Sequence, residues 1–309
     1  LRSATSTLPR KSVVTAMLIW AGAGIAVQEA LQVFTPLTLI VLRFTLAVVL
    51  MFFVGIIFRR NEVLGLQCVE KKDLPLFMLG GLFQPFLYFI FETYTYQSFF
   101  SPTVAEALLS TQPVMAPLFA WVLLREKVTK NNIVGIVIST LGVLILLLMG
   151  NTQLSVGGEQ ASIWKGLLLA MLTVSMSVSY SVVLRKIPTR YSALSIVFYV
   201  QSFSLLLFYP LWFLMDGGII NNGTVDGMGN GLLAVGYLAV LASVAAFVLF
   251  CYTVRHIGVT RANVFNNVRP VFTAILMWLI FGEVLPMCKW IGILIIIFGL
   301  FISQKHEKT

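Results

Sequence analysis

The sequence predicts an all-α integral membrane protein with ten transmembrane helices in two inverted five-helix repeats. Of the 309 residues, 59% are hydrophobic and only 11% are charged, whereas soluble domains are about 45–50% apolar and about 25% charged. Apolar runs of about 17–25 residues recur between charged clusters, which is the length a helix needs to cross a bilayer. The second half of the sequence aligns with the first half, which predicts the repeat.

Ten apolar runs delimit the predicted transmembrane spans, which we number 1 to 10 in chain order. The first run follows Arg10 and Lys11 and is too long for the core of a signal peptide, so we interpret it as a retained helix. The connections are too short to hold another domain. The predicted spans are residues 13–31, 35–57, 74–96, 102–124, 131–149, 162–184, 191–214, 231–254, 261–282 and 287–303.

The basic residues predict the orientation of the chain. With the N-terminus in the cytoplasm, seventeen Lys and Arg residues fall in cytoplasmic segments and only Lys165 and Lys289 fall outside, whereas Arg43 and Arg269 lie within spans. Such an excess is the usual signature of the cytoplasmic side. We therefore expect a multi-pass protein of the cell inner (plasma) membrane with both termini in the cytoplasm.

A shift of 157 residues aligns the second half of the chain with the first. It divides the chain into residues 1–150 (spans 1–5) and 151–309 (spans 6–10). Because each repeat holds an odd number of spans, the second must enter the membrane from the opposite side, so the repeats are inverted. Five identical pairs align without a gap: Pro113 with Pro270, Trp121 with Trp278, Glu126 with Glu283, Gly135 with Gly292, and Gly142 with Gly299.

Inverted repeats favour a transport function. Secondary transporters commonly place two inverted halves around a binding site near the middle of the bilayer and expose it to each side in turn. We therefore predict alternating access through a central cavity lined by spans 1, 3, 4, 6, 8 and 9. A channel, a scramblase or a scaffold could use the same duplicated fold, so the site residues must support the function.

The composition argues against several other functions. The formal net charge is +9, but the basic residues stand in short clusters between apolar runs, so we expect no nucleic-acid partner. Three cysteines and two histidines show no metal-binding or redox spacing, so we predict neither a metal nor a cofactor. The chain has no P-loop and no nucleophile beside a base within a span, so we expect no enzyme.

The sequence around the repeated prolines resembles the EamA-type family of the drug/metabolite transporter superfamily. This resemblance implies ten helices, cytoplasmic termini and export of amino acids or other small metabolites, while relatives in the superfamily carry sugar phosphates and nucleotide sugars. Family members often have a Lys near the end of the first span, where Gln28 and Glu29 stand here. The resemblance rests on residues 105–109, 112–114 and 121–126 with Gly135 and Gly142, and on residues 269–271 and 278–283 with Gly292 and Gly299.

Polar and proline residues recur on equivalent faces of spans 4 and 9. We interpret these faces as parts of a substrate pathway, in which the prolines shape the helices and free backbone carbonyls. The alternative is a dry interface in which amides bond between helices. The shift carries Glu106, Ser110 and Pro113 onto Asn263, Asn267 and Pro270. Further pathway candidates are Trp20, Gln84, Tyr88, Tyr180 and Arg269.

Charged residues inside the apolar spans form a second group of candidates. A charge at the bilayer centre costs about 2.5–3.5 kcal/mol on insertion scales, so it needs a partner or a wet cavity. Arg43, Glu29 and Glu92 all fall in the outer half of their spans, and we interpret them as a coupling or gating cluster that binds protons through Glu92 or Glu106. The alternative is an ion pair that only fixes helix packing.

These features together predict a secondary-active or facilitative transporter, an exporter of amino acids or similar small metabolites, whose partners are its small-molecule substrate and the lipid bilayer. The alternative within transport is an antiporter for phosphorylated metabolites or nucleotide sugars. Such substrates need several cations, and only Arg43 and Arg269 lie deep enough. A non-transporting membrane receptor or scaffold is the alternative from another class.

Overall fold

The computed structural model describes eleven α-helices and two π-helical segments in the part of the chain that it covers. It describes residues 4–98, 105, 108–109, 130–148, 163–216, 227–257, 265, 269–282 and 286–303, and no β-strand occurs among them. The helices are Ala4–Leu31, Pro36–Ile57, Leu74–Gly81, Tyr88–Ser98, Lys130–Leu148, Ile163–Lys186, Ala193–Met215, Met228–Tyr237, Ala246–Ile257, Arg269–Phe281 and Met287–Ser303. The π-helical segments Leu82–Leu87 and Leu238–Ala245 each join two helices.

Six of the resulting helical spans are long and apolar enough to cross a membrane, namely spans 1, 2, 3, 6, 7 and 8, and shorter apolar helices follow at Val271–Ile280 and Trp290–Gly299. Their outer faces are apolar: Phe213, Leu214 and Leu233 each expose 75–81% of their surface. Such faces suit lipid chains, which cannot satisfy polar groups. The all-helical, multi-pass architecture is confirmed. The count of ten stays a prediction, because most of span 4 lies outside the described residues.

The helices pack in pairs drawn from both halves of the chain. Span 5 packs on span 10 and span 2 on span 7, while span 3 contacts spans 6 and 7 and span 8 contacts spans 1 and 2. The counterparts of spans 3, 6 and 7 in the other repeat are spans 8, 1 and 2. The contacts of span 3 with spans 6 and 7 therefore correspond to those of span 8 with spans 1 and 2. This is the packing that a two-fold repeat produces. The boundary at residue 150 stays a prediction.

Span 5 meets span 10 at a glycine. A Cβ added at Gly142 would lie 2.8 Å from the backbone nitrogen of Ile296 and 2.9 Å from the backbone oxygen of Gly292. Only glycine allows two membrane helices to approach this closely, so the contact relies on backbone packing. The repeated glycines that mark the shift in sequence therefore have a structural role at this interface.

The two π-helical segments lie at equivalent places in spans 3 and 8, because the 157-residue shift carries residues 82–87 onto residues 239–244. In span 3, Pro85 lacks an N–H group and disfavours the helical conformation for the residue before it. Gln84 accordingly has φ −147° and ψ 117°. Span 8 has no proline, but carbonyls of its wide turn accept side-chain hydrogen bonds from other spans, from Trp20 at Ala242 and from Gln201 at Ser243.

The buried apolar residues of the described part form two clusters. One cluster includes Leu39 and Ala242, and the other includes Ile40 and Val244. Ser243 therefore lies where the two clusters meet. Trp20 packs against both clusters, which places it at the same boundary.

At the predicted cytoplasmic end, the segment between spans 2 and 3 is bound to the start of span 7. We call this contact, between residues 61–73 and 190–195, the loop junction. The Ser192 hydroxyl donates to the Gly65 carbonyl at 2.6 Å, and the Gln67 N–H donates to Ser195 Oγ at 2.8 Å. The loop junction thus joins the first half of the chain to the second.

At the opposite end, spans 2 and 7 are tied a second time. Asp216 accepts hydrogen bonds from the hydroxyls of Thr35 and Thr38, and the Trp212 indole N–H donates to Thr38 Oγ1 at 2.8 Å. Spans 2 and 7 are therefore held together at both membrane faces.

Candidate functional site

A buried arginine lies between the two apolar clusters. Arg43, in helix Pro36–Ile57, is only 3% exposed. Its Nε donates to Ser243 Oγ at 2.6 Å, and its Cζ stands 4.4 Å from the ring centroid of Phe89 and 5.3 Å from that of Phe44. Within the residues that the structure describes, its two Nη groups donate no hydrogen bond. A guanidinium has five N–H donors, so most of the hydrogen-bonding capacity of Arg43 is unused.

A buried amide stands beside this guanidinium. Gln201 of span 7 is 1% exposed, and its Nε2 donates to the Ser243 carbonyl at 2.9 Å. The carbonyl fixes which end of the amide is the nitrogen, since only the NH₂ group can donate to it. The Oε1 atom is buried and has no hydrogen-bond partner. Ser243 therefore bonds both side chains, Arg43 through its hydroxyl and Gln201 through its carbonyl.

A tyrosine and a glutamate complete this polar cluster. The Tyr88 hydroxyl donates to Glu92 Oε1 at 2.7 Å, and Glu92 is buried. Of the surrounding charged groups, Glu92 has the largest electrostatic effect on Arg43, and Arg269 has a smaller effect of the opposite sign. We call Arg43, Gln201, Ser243, Tyr88 and Glu92 the Arg43 site.

Among the described residues Arg43 forms no ion pair within 4.0 Å. Where side chains are described, every ion pair within 4.0 Å lies at the loop junction, between Arg190 or Lys72 and the acids Glu70 and Asp73. Glu92 therefore acts on Arg43 from a longer distance, and the interpretation of Arg43 as one half of a packing ion pair with Glu92 or Glu29 is wrong. The aromatic faces of Phe44 and Phe89 and the hydroxyl of Ser243 surround the guanidinium instead.

Three rings lead from the Arg43 site to a second arginine. Ring centroids are 6.2 Å apart between Phe89 and Phe247 and 5.1 Å apart between Phe247 and Trp20. The Cζ atom of Arg269 stands 5.8 Å from the Trp20 ring. We call Phe89, Phe247 and Trp20 the aromatic chain. It places a cation on an aromatic face at each end, an arrangement that stabilises guanidinium groups away from water.

The two arginines also repel each other, because the positive charge of Arg269 acts on that of Arg43. Arg43 belongs to the first half of the chain and Arg269 to the second. Two like charges in a region of low dielectric raise each other's energy, and a bound anion relieves this repulsion. The arrangement thus favours an anionic group between the two halves.

The predicted pathway residues fall into different surroundings. The structure brings together Trp20 with Arg269, and Tyr88 with Glu92 beside Arg43. Tyr180 is buried in the apolar cluster of Ile40 and Val244, and Glu29 is half-buried at the end of helix Ala4–Leu31 and is not among the charges that act on Arg43. Glu29 therefore lies apart from the Arg43 site, whereas Tyr180 shares its apolar cluster with Tyr88.

Gln84, Tyr88 and Glu92 follow one another at intervals of four residues, the spacing of one helix face, but the structure forms only part of this face. Tyr88 and Glu92 are one turn apart on helix Tyr88–Ser98 and are hydrogen-bonded. Gln84 has an extended conformation before Pro85, so it does not continue that face. The helical spacing is interrupted here, because proline disfavours the helical conformation for the preceding residue.

Five candidates lie outside the described residues, so their roles stay predictions: Glu106, Ser110, Pro113, Asn263 and Asn267. The role of Pro270 also stays a prediction, because the structure gives only its place in helix Arg269–Phe281.

The sequence interpretation missed Gln201 and Ser243. Each is a single small or neutral polar residue in an apolar span, a pattern that usually reflects packing between membrane helices. One signal was present, because the 157-residue shift carries Arg43 to position 200, beside Gln201. A polar residue next to the repeat counterpart of a buried arginine is therefore informative.

The fold and the site, a multi-pass helical bundle with a polar site buried where two halves meet, are those of a membrane transport protein. The chain belongs to the EamA-like transporter family, because the sequence model of this family matches it twice, over residues 12–148 and 164–304. The resemblance inferred from the repeated proline segments is therefore confirmed, and the chain is a transporter of this family.

Curated relatives support the same class. The uncharacterized transporter YetK of Bacillus subtilis is 25% identical over 79% of this chain and 72% of its own length. An uncharacterized transporter of Archaeoglobus fulgidus is 22% identical over 96% of this chain and its whole length. The S-adenosylmethionine/S-adenosylhomocysteine transporter of Chlamydia trachomatis is 25% identical over 87% of this chain and 80% of its own length.

A solved crystal structure shares the fold. It covers 96% of both chains with a TM-score of 0.65 at 19% identity. At this identity the similarity concerns the fold alone.

Proposed function

We propose that the protein is a secondary-active or facilitative transporter that exports amino acids or similar small metabolites, and that Arg43 binds the carboxylate of the substrate. The observation that carries this proposal is the burial of Arg43 with both Nη groups unused among the described residues. A buried charge without a full set of partners is costly, and a carboxylate offers the two parallel acceptors that a guanidinium fits.

The aromatic chain supports an amphipathic substrate. Phe89, Phe247 and Trp20 offer apolar rings between Arg43 and Arg269, and aromatic side chains contribute large apolar contact areas. An amino acid joins one carboxylate to an apolar or polar side chain. The Chlamydia trachomatis relative is named for S-adenosylmethionine and S-adenosylhomocysteine, which both contain an amino-acid group and an aromatic base. The same combination suits the surroundings of Arg43.

Alternating access fits the depth of the Arg43 site. Ser243 lies where the two apolar clusters meet, so each cluster forms a barrier on one side of the site. Opening one barrier at a time would expose the site to each membrane face in turn. In the orientation that the basic residues favour, export moves the substrate from the loop-junction side to the side of Asp216.

Proton coupling through Glu92 is a further part of the proposal. Glu92 is buried, accepts a hydrogen bond from Tyr88 and acts electrostatically on Arg43. Protonation of Glu92 therefore removes a negative charge near the substrate carboxylate. We expect an imposed pH gradient to change the transport rate of wild type and not that of Glu92→Gln. A wild type insensitive to pH in sealed vesicles would instead indicate facilitated diffusion.

A second candidate function is antiport of phosphorylated metabolites or nucleotide sugars. The electrostatic contact between Arg43 and Arg269 favours it, since two guanidinium groups suit a dianion. We rank it second because Glu92 offsets part of this positive charge.

Counterflow in proteoliposomes distinguishes these functions. Vesicles loaded with proteinogenic L-amino acids, one at a time, are compared with vesicles loaded with sugar phosphates or nucleotide sugars, and protein-free vesicles are the control. We expect saturable exchange of amino acids that Arg269→Gln weakens. Exchange of phosphorylated compounds alone would support the antiporter. No exchange by folded wild-type protein would contradict both and favour a receptor or scaffold.

A further inference from the structure

We propose that Gln201 is a specificity residue, and that its Oε1 atom selects ligands carrying a hydrogen-bond donor beside their anionic group, which is the pattern of an α-amino acid. This inference rests on the proposed function, in which Arg43 binds the carboxylate. The amino group of the substrate is then bound by Gln201 in the second half of the chain, whereas its carboxylate is bound by Arg43 in the first half.

The first observation is that Gln201 Oε1 has nothing to accept. Among the described residues it is the one fully buried side-chain oxygen without a hydrogen-bond partner. Its neighbour on the same face shows the usual outcome: Ser204 Oγ, also buried, contacts the carbonyls of Gly81 at 2.7 Å and Val200 at 2.9 Å. Buried polar atoms are nearly always bonded, so the exception at Gln201 needs an explanation.

The second observation is that the amide cannot turn to remove the problem. Its nitrogen donates to the Ser243 carbonyl. A flip would set Oε1 against that carbonyl oxygen, and two acceptors cannot bond to each other. Oε1 therefore stays directed away from Ser243, and whatever satisfies it must come from elsewhere.

The third observation is the neighbour that Gln201 shares with Arg43. Gln201 Nε2 bonds the carbonyl of Ser243, and Arg43 Nε bonds its hydroxyl. Ser243 thus links the side chain that has the unused acceptor to the side chain that has the unused donors. An α-amino acid has its carboxylate and its ammonium on one carbon, so it can satisfy both at once.

The charges around the site are compatible with an ammonium. Arg43 and Arg269 repel it, but Glu92 lies close enough to act on Arg43, and the carboxylate of the ligand neutralises part of the guanidinium charge. Tyr88 and Tyr96 are the other titratable groups that act on Arg43. A carboxylic acid without an amino group would leave Oε1 buried and unsatisfied, as it is without ligand, and a site built for a donor rejects such analogues strongly.

For each of three side chains, the experiment compares the amino acid with two analogues that lack the amino group. Counterflow is measured for L-leucine, L-methionine and L-phenylalanine, and for the analogues of each in which the amino group is replaced by hydroxyl or by hydrogen. Wild type is compared with Gln201→Met, which has a similar length and no polar atoms, and with Ser204→Ala as a matched change on the same helix face. Retained exchange of the hydrogen analogues shows that each variant is folded.

We expect wild type and Ser204→Ala to prefer the amino acid over the hydrogen analogue by about tenfold or more in kcat/KM, with the hydroxy acid between them. In Gln201→Met the preference should fall to about twofold, through loss of amino-acid transport alone. Equal transport of amino acids and hydrogen analogues by wild type, or an unchanged preference in Gln201→Met, would overturn the role of Gln201 and leave the proposed function intact. No exchange of any of these compounds by wild type would overturn both.

Discussion

Two polar regions join the halves of this transporter, and they differ in how their hydrogen bonds are used. At the loop junction, Tyr191 donates to Asp73 at 2.7 Å and accepts from the Glu70 N–H at 3.1 Å, and Arg190 pairs with both acids. At the Arg43 site, the Nη groups of Arg43 and Oε1 of Gln201 have no partner among the described residues. The first region is complete in itself, whereas the second leaves hydrogen-bonding groups unused.

The difference separates structural from functional polar residues. Near the membrane surface, water or neighbouring groups can satisfy a charge, and the hydrogen bond to Tyr191 raises the pKa of Arg190. Inside the apolar bundle, an incomplete hydrogen-bond set is costly and persists where something else completes it. The comparison predicts that changes at the Arg43 site impair transport, whereas changes at the loop junction impair stability.

The largest effect is expected for Arg43. Arg43→Gln removes the guanidinium and should lower the rate of amino-acid counterflow by about 100-fold, because the substrate carboxylate loses a charged, bidentate partner. Arg43→Lys keeps the charge without the planar fork and should retain part of the activity. The free energy of unfolding of Arg43→Gln should stay close to that of wild type, since a buried charge is itself costly.

Lys165→Gln is the matched control for charge removal, because Lys165 is exposed at the end of span 6. It should leave counterflow unchanged. If Arg43→Gln transports like Lys165→Gln, Arg43 does not bind the substrate and the comparison between the two regions is invalid.

The opposite pattern is expected for Asp73 at the loop junction. Asp73→Ala leaves the buried Tyr191 hydroxyl without its acceptor and should lower the free energy of unfolding by about 1–3 kcal/mol. The KM for the substrate should not change. Thermal unfolding of the detergent-solubilised protein, together with counterflow, measures both. A raised KM with unchanged stability would assign a functional role to the loop junction instead.

A smaller effect is expected for the aromatic chain. Trp20→Leu removes the ring that faces Arg269 and the indole N–H that donates to the Ala242 carbonyl at 3.0 Å. We expect KM to rise about fivefold, as a cation–π contact contributes about 1 kcal/mol in such surroundings. Phe250→Leu is the comparison variant, because among the described residues the Phe250 ring pairs with that of Trp20 and with no other ring. Equal effects of both would mean that the aromatic chain contributes packing only.

The smallest effect is expected from tying spans 2 and 7 together. Both ends of this pair are already bonded across the two halves, at the loop junction and around Asp216. In a variant without the native cysteines, a bifunctional thiol reagent that links Thr45→Cys to Tyr209→Cys should keep transport within about twofold of the unlinked protein. Loss of transport on linking would show that spans 2 and 7 separate during the cycle.

The sequence predicted the fold and part of the site. Apolar runs and the 157-residue shift were sufficient for the helices, because run length and repeat spacing are properties of the chain alone. Arg43, Trp20, Arg269 and the Tyr88–Glu92 pair were found because charges and large polar rings in apolar spans stand out.

The remaining parts of the site depend on contacts between spans, which the sequence does not show. Gln201 and Ser243 look like packing residues until span 8 brings the Ser243 carbonyl to Gln201 and its hydroxyl to Arg43. The absence of an Arg43–Glu92 ion pair is likewise a property of distances between helices. The extended conformation of Gln84 was accessible from the sequence, because Pro85 follows it.

The most direct test of the account is ligand-induced stabilisation of the purified protein. Proteinogenic L-amino acids are added one at a time to wild type, Arg43→Gln and Lys165→Gln, and the unfolding temperature is measured, because a ligand that binds only the folded state raises it. We predict that at least one amino acid raises the unfolding temperature of wild type and Lys165→Gln and leaves that of Arg43→Gln unchanged. An equal rise in Arg43→Gln would contradict the account.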